Sequence, residues 1–371
     1  MMDFCFRYEV PSYQNNISVD SEQLAVCSKI NNTLNSQLTS WKNKLNHNKH
    51  WDTAKRISNK YEFIFSSGYN KFNLVKKKPL SRAYFKLWEI LHDFDIIQKN
   101  VKTNSAHIAD GPGGFIECVC DYFEKYNHEH TSIHGITLRS TDRKIPNWKV
   151  SKEHLCNFNI GLYDGCIYDR TVINDFIETV GNHSAEFVTA DGGFDFSKDF
   201  NNQEKQCYKL MFCEVYIALR IQKNKGNFLL KVFDLFSSET ITLLAMCSSF
   251  YKNMYVIKPN TSRPANSEKY LLFTNYIQDM TVTHHELLDK LFDEIDKETY
   301  SIDENTIHNF ENFYSNITRY NIVYTMSQIS HLKDTLELSR RLNEKTRSRL
   351  VEENLKLCKQ WCLDYNIHSS S

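Results

Sequence analysis

No stretch of this chain is apolar for long enough to cross a bilayer, which takes about 20 such residues, so no membrane partner is expected. Net charge is missing as well: 45 Lys and Arg balance 45 Asp and Glu, and the total announces no nucleic-acid partner. The eleven cysteines include no Cys-x-x-Cys pair. Cys118 and Cys120 are too close for a usual zinc knuckle, and Cys358 and Cys362 have no histidine pair beside them, so no metal is expected. Residues 1–10 carry acidic and aromatic side chains where a secretory signal needs a basic patch and an apolar core. The cysteines therefore read as reduced thiols of an intracellular protein, nuclear or cytoplasmic. Neither a phosphate-binding G-x-x-x-x-G-K-[ST] run nor a G-x-G-x-x-G fingerprint is present, which weakens ATPase and dehydrogenase readings. No internal repeat is visible.

The chain is 371 residues long and 41% hydrophobic, enough for one large domain with extensions or two modest ones. Residues 1–47 read as an N-terminal extension with some helix, 48–280 as the main domain, and 281–371 as a C-terminal helical extension. After Pro79 the spacing of Leu80, Tyr84, Leu87, Trp88 and Leu91 predicts a helix, with Ser81 able to cap it. Strands are predicted at His107–Ala109, Ser132–Leu138, Glu186–Ala190 and Asn227–Phe233, with a hairpin-like pair at Tyr251–Lys258 and Glu268–Asn275. Helices are predicted at Phe115–Tyr126 and Gln206–Gln222. Strands separated by helices imply an α/β fold, its sheet mainly parallel and covered on both faces. Beyond Thr281, Leu332, Leu336 and Leu342 suggest one amphipathic helix, with Arg340, Arg341, Lys345, Arg347 and Arg349 along its polar sequence. It reads equally as an RNA grip or as a helix packed on the sheet edge.

Charge is lopsided between Trp41 and Lys86. Lys42, Lys44, Lys49, Lys55, Arg56, Lys60, Lys71, Lys76, Lys77, Lys78, Arg82 and Lys86 face only Asp52 and Glu62, with Trp51, Tyr61, Phe63, Phe65, Tyr69, Phe72, Tyr84 and Phe85 interleaved. Cations neutralise phosphates and aromatic faces stack bases, a mixture suited to single-stranded RNA. On charge alone, a solvated lysine-rich surface over core aromatics is the better reading.

Ala109-Asp110-Gly111-Pro112-Gly113-Gly114-Phe115 sits where a strand gives way to a helix. Glycines there would let the backbone approach a ligand and leave helix N-terminal N–H groups free; a tight structural turn explains them about as well. Asp191 and Lys231 each end or interrupt an apolar strand, where a charge is costly unless paired or used, and carboxyl ends of strands are where α/β sheets build sites. A turn aspartate and a snorkelling lysine would explain each singly. Lys86, Asp191, Lys231 and Glu268 in that order, with the glycine turn after the first, make coincidence a poor explanation.

This set resembles the K-D-K-E tetrad of the FtsJ-like 2′-O-methyltransferases. Ala190-Asp191-Gly192-Gly193-Phe194, Lys231-Val232-Phe233-Asp234-Leu235-Phe236 and Thr261-Ser262-Arg263-Pro264-Ala265-Asn266-Ser267-Glu268 resemble more narrowly the mRNA cap-1 methyltransferases of eukaryotes and large DNA viruses. The similarity runs from about Lys55 to Asn275. It implies a Rossmann-like S-adenosyl-L-methionine-dependent methyltransferase fold that methylates the ribose 2′-OH of the first transcribed nucleotide of m7G-capped mRNA. By position it assigns catalysis to Lys86, Asp191, Lys231 and Glu268. The donor loop falls on Ala109, Asp110, Gly111, Pro112, Gly113, Gly114 and Phe115, with Ser81 beside it. Where relatives often carry Asp-Gly-x-Gly-Asp near the adenine, this chain reads Asp164-Gly165-Cys166-Ile167-Tyr168, which places Ile167 and Tyr168 there. Cap and RNA contacts fall on Lys55, Asn201, Gln203 and Asn266, with Arg56 and Arg263 as neighbours. Capped RNA is the expected partner, other capping or transcription proteins are candidates, and no DNA specificity is expected. Lys231 is the candidate base, with burial and neighbouring cations favouring its neutral form. The competing readings are an rRNA or tRNA 2′-O-methyltransferase, an enzyme acting on the second nucleotide, and a catalytically idle RNA-binding subunit.

Overall fold

The computed structural model describes residues 6–10, 21–45, 50–65, 74–97, 102–142, 144–150, 158–159, 163–196, 201–277, 280–297, 300–307 and 309–368. Lys49, Tyr69, Lys71 and Phe72 of the basic stretch lie outside the described residues.

Eight described strands form one sheet: β1 (Phe6–Val10), β2 (Thr103–Ile108), β3 (His130–Ile136), β4 (Phe158–Asn159), β5 (Ala185–Ala190), β6 (Gln222–Val232), β7 (Tyr251–Lys258) and β8 (Lys269–Tyr276). Their order is β1-β7-β8-β6-β5-β2-β3-β4. From β6 to β4 every pairing is parallel, whereas β8, β7 and β1 continue the sheet antiparallel. In the parallel half β5 and the end of β6 read as apolar runs, as strands covered on both faces do, with Val188, Ala190, Leu229 and Leu230 wholly buried, whereas β2 and β3 also bury Ser105, His107 and His134.

Ten described helices surround the sheet: α1 (Ser21–Asn43), α2 (Trp51–Ile57), α3 (Ala83–Asp93), α4 (Gly114–Tyr126), α5 (Arg170–Val180), α6 (Gln203–Ile221), α7 (Ser238–Ser248), α8 (Val282–Glu294), α9 (Phe310–Arg341) and α10 (Glu344–Asp364). One face packs on α5, α6, α7, α8 and the first half of α9, around Phe176, Phe212, Tyr216 and Tyr320. The other packs on α3, α4 and α10, around Phe85, Trp88, Phe115 and Trp361. Tyr84, Phe85 and Phe63 of the basic stretch belong to this second core, which bears out the core reading of those aromatics.

The predicted strands appear, displaced by a few residues. The sequence did not single out β1, β4, α5 or α7. The single C-terminal helix is a correction. The chain leaves the helical conformation at Leu342, and the Asn343 side chain accepts from Thr346 N at 2.9 Å to start a second helix, a cap that competes with continuing the first. Arg340 and Arg341 thus end α9, while Lys345, Arg347 and Arg349 open α10. The described cysteines are all free, and all but Cys166 are buried.

Candidate active site

Parallel pairing of β5 with β6 sets Ala190 opposite Leu230, so the next residues, Asp191 and Lys231, emerge side by side. Lys231 Nζ lies 3.1 Å from Asp191 Oδ1 and also donates to the Asp191 carbonyl. Lys86, in the first turns of α3, reaches Glu268 Oε1 at 2.6 Å. Glu268 closes the loop between β7 and β8 and accepts from Ser262 Oγ at 3.1 Å. All four side chains keep 11–16% exposure: enclosed enough to strengthen their fields, open enough to meet a ligand.

Burial works against charge on Glu268, but Lys86, Lys231 and Lys258 outweigh it and hold the carboxyl down at about 2. Burial likewise disfavours charge on Lys231, yet Asp191, Glu268 and Glu214 outweigh it and raise the ammonium above its ordinary value. That corrects the expectation of a lysine pushed neutral, because anions rather than cations are its nearest charged neighbours. Beneath the pair, Glu214 accepts from Gly192 N at 3.0 Å and is pushed up to about 8 by burial. Behind Glu268, burial pushes Lys258 down to about 7; its ammonium donates to the carbonyls of Asn266, at 2.8 Å, and Glu268.

Lys86, Asp191, Lys231 and Glu268 line a cleft of about 1380 Å³. Its first half is lined by Ser81, Ala109, Gly111, Pro112, Thr137, Leu138, Gly165, Cys166, Ile167 and Tyr168. Its second half is lined by Lys42, Trp51, Lys55, Phe65, Asn201, Gln203 and Asn266, with Phe194 and Leu332 also on the walls. Leu138, Tyr168 and Phe194 are 37–47% exposed, and large apolar side chains left open together mark a binding surface. Thr137 and Leu138 were not singled out as site residues in the sequence, and Trp51 and Phe65 entered only as aromatics of the basic stretch. Thr137 and Leu138 carried a usable signal, since they follow directly on a parallel strand.

Several predicted site residues sit elsewhere. Asp110 is buried, accepting from Phe115 N at 3.0 Å and Ile116 N at 2.9 Å to cap α4; burial pushes it up to about 8. Gly113, Gly114 and Phe115 do not line the cleft. The glycines answer to the protein's own chain more than to a ligand. A Cβ on Gly111 would lie 2.4 Å from the Pro146 carbonyl oxygen, and one on Gly114 would lie 2.2 Å from Ser81 Oγ. Arg56 lies outside the cleft lining. Arg263 pairs with Glu62 at 3.0 and 2.7 Å, beside Arg82 at 3.2 Å. Lys42 pairs with Asp234 at 3.0 Å, and Lys77 pairs with Glu117 and Asp121, so much of the basic stretch is neutralised within the fold.

The first half of the cleft fits S-adenosyl-L-methionine. Leu138, Ile167 and Tyr168 offer apolar surface for a purine, Ser81 and the Ala109–Pro112 turn offer polar groups, and Asp191 offers a negative charge to a sulfonium.

The chain is similar in sequence to known proteins. Cap-specific mRNA (nucleoside-2'-O-)-methyltransferase 2 of Drosophila melanogaster is 31% identical over 242 residues, covering 60% of this chain and 33% of its own. Cap-specific mRNA (nucleoside-2'-O-)-methyltransferase 1 of the same fly is 35% identical over 167 residues, covering 44% of this chain and 21% of its own. The cap-specific mRNA (nucleoside-2'-O-)-methyltransferase of Autographa californica nuclear polyhedrosis virus is 31% identical over 207 residues, with 54% and 75% covered. The chain thus spans about a third and a fifth of the two fly proteins' lengths. Residues 79–276 match the model of the FtsJ-like methyltransferases, and the chain belongs to that family.

Proposed function

We propose that this protein transfers a methyl group from S-adenosyl-L-methionine to the ribose 2′-OH of the first transcribed nucleotide of m7G-capped mRNA. One observation carries the proposal: two lysine–carboxylate pairs, Lys231–Asp191 and Lys86–Glu268, share the floor of a cleft with room for a donor and a nucleotide. The donor supplies an electrophilic methyl and a positive charge when bound.

The remaining work falls to the chain. Aligning two reactants near contact distance contributes roughly 7 kcal/mol or more in well-oriented systems. Asp191 orients Lys231 from a sheet-fixed position, and Lys231 meets the hydroxyl oxygen as its proton leaves, accepting that proton in its neutral form. Asp191 and Glu268 oppose that neutral form, which ties the rate to pH: transfer rises with pH through the neutral range. Lys86 holds the Glu268 carboxylate in place. Lys55, Asn201, Gln203 and Asn266 stand in the other half of the cleft for the capped end.

The test is methyl transfer from labelled donor to two matched short RNAs, one carrying an m7G cap and one an uncapped 5′ triphosphate, with the product nucleotide mapped. Methylation confined to the first nucleotide of the capped RNA is expected. Equal methylation of both would discard the cap, a product at the second nucleotide would move the position, and RNA binding without transfer would leave a binding subunit.

A further inference from the structure

Helix α9 lies beyond residues 79–276, yet its inner face ties down the loop that carries Glu268. Among its buried apolar residues, such as Ile317, Ile329 and Leu332, that face carries four polar ones: Asn321, Thr325, Gln328 and Thr335 are each at most 2% exposed. Buried polar groups are costly unless bonded, so these four need partners. Gln328 Nε2 donates to the Ala265 carbonyl at 3.0 Å and to Ser267 Oγ at 3.3 Å. Tyr324 OH donates to the Asn266 carbonyl at 2.9 Å. From the sheet side Lys258 Nζ donates to that same carbonyl and to that of Glu268. The three residues before Glu268 are therefore held between α9 and the end of β7. Leu332, one turn further along α9, reaches the cleft wall itself.

We propose that Tyr324 and Gln328 are positioning residues for methyl transfer: they fix Ala265–Ser267, and through that segment aim the Glu268 carboxylate at Lys86 and the Asn266 side chain into the cleft. This rests on the cleft being the methyl-transfer site, and adds that a helix outside the family's matched region sets its geometry. A directed polar bond fixes one register, where apolar packing would tolerate several.

Tyr324→Phe keeps the ring and removes one hydrogen bond. Gln328→Met keeps the bulk and removes two. Met326→Ser, on the exposed side of α9 where Met326 is 54% exposed, serves as the control. In the full chain, amide hydrogen exchange would be followed across residues 260–270, where Asn266 N is bonded to the Arg263 carbonyl, together with donor affinity and steady-state transfer to capped RNA. Both variants are expected to exchange faster in residues 265–268 alone and to lose about tenfold in kcat with donor affinity unchanged, since small misplacements weaken catalysis steeply. The control should match wild type in both. Unchanged exchange in that segment, an equal loss of protection across the whole sheet, or faster exchange with unaltered kcat would each overturn the proposal. Wild-type protein that methylates no RNA would instead remove the functional proposal, and the exchange pattern would then decide the tie alone.

Discussion

The two ion pairs on the cleft floor are built by different means. Asp191 directly follows β5 and Lys231 lies next to the end of β6, so the register of two adjacent parallel strands sets them side by side, 3.1 Å apart at their charged ends. Lys86 and Glu268 come from a helix and an irregular loop, and their 2.6 Å contact depends on Ser262, Lys258, Tyr324 and Gln328 holding that loop. A sheet positions by its main chain, which most substitutions leave intact; a loop positions by side chains, each of which can be lost. The first pair should fail only when its own residues change, and the second should fail from a distance.

Lys231→Ala should give the largest effect, a loss of about a thousandfold or more in transfer rate, in the upper range for removing a proton-transfer group. Donor binding measured by calorimetry should persist, and turnover near the wild-type rate would break the assignment. Glu268→Gln keeps the shape and loses the charge opposite Lys86; a fall of about a hundredfold is expected. Combined with Tyr324→Phe it should fall little further, since both act on one contact; full additivity in that double-mutant cycle would separate them. Glu214→Gln should act chiefly on stability. Burial raises Glu214 from 4.5 to about 8, so between those values the folded chain holds a proton that the unfolded chain has released, and stability falls as pH rises. Glutamine has no such loss. Denaturant unfolding should find the variant about equal to wild type near pH 4.5 and more stable at pH 8.5, by on the order of 4 kcal/mol. Parallel pH curves for the two proteins would show that Glu214 is charged beneath Gly192.

Of the four catalytic candidates, Lys86, in a helix, and Glu268, in a loop, were found through the resemblance to the family's tetrad, whereas Asp191 and Lys231 were legible because a charge at the end of an apolar strand is locally anomalous. Lys258 closes β7 with the same signal. What stayed hidden depends on contacts between residues far apart in the chain. The basic stretch loses much of its meaning as an RNA surface once Asp234 meets Lys42, 192 residues away. The glycine turn looks like a ligand cradle until the segments bearing Thr137, Pro146 and Ser81 fold onto it. The leucine spacing found the end of α9, but Lys345, Arg347 and Arg349 were counted on the same helix because the break at Leu342 and the cap at Asn343 lie in one short polar stretch.

Strand β1 pairs along β7 from Phe6 opposite Lys258 to Val10 opposite Met254. At the far edge, β4 contributes Phe158 and Asn159 among the described residues. A sheet that ended on β7 would present a row of unsatisfied amides and carbonyls flanked by buried Val256 and Ile257, a template for strand addition between molecules. Strand β1 thus covers the open edge of β7, the strand whose last residue, Lys258, bonds the segment that carries Glu268.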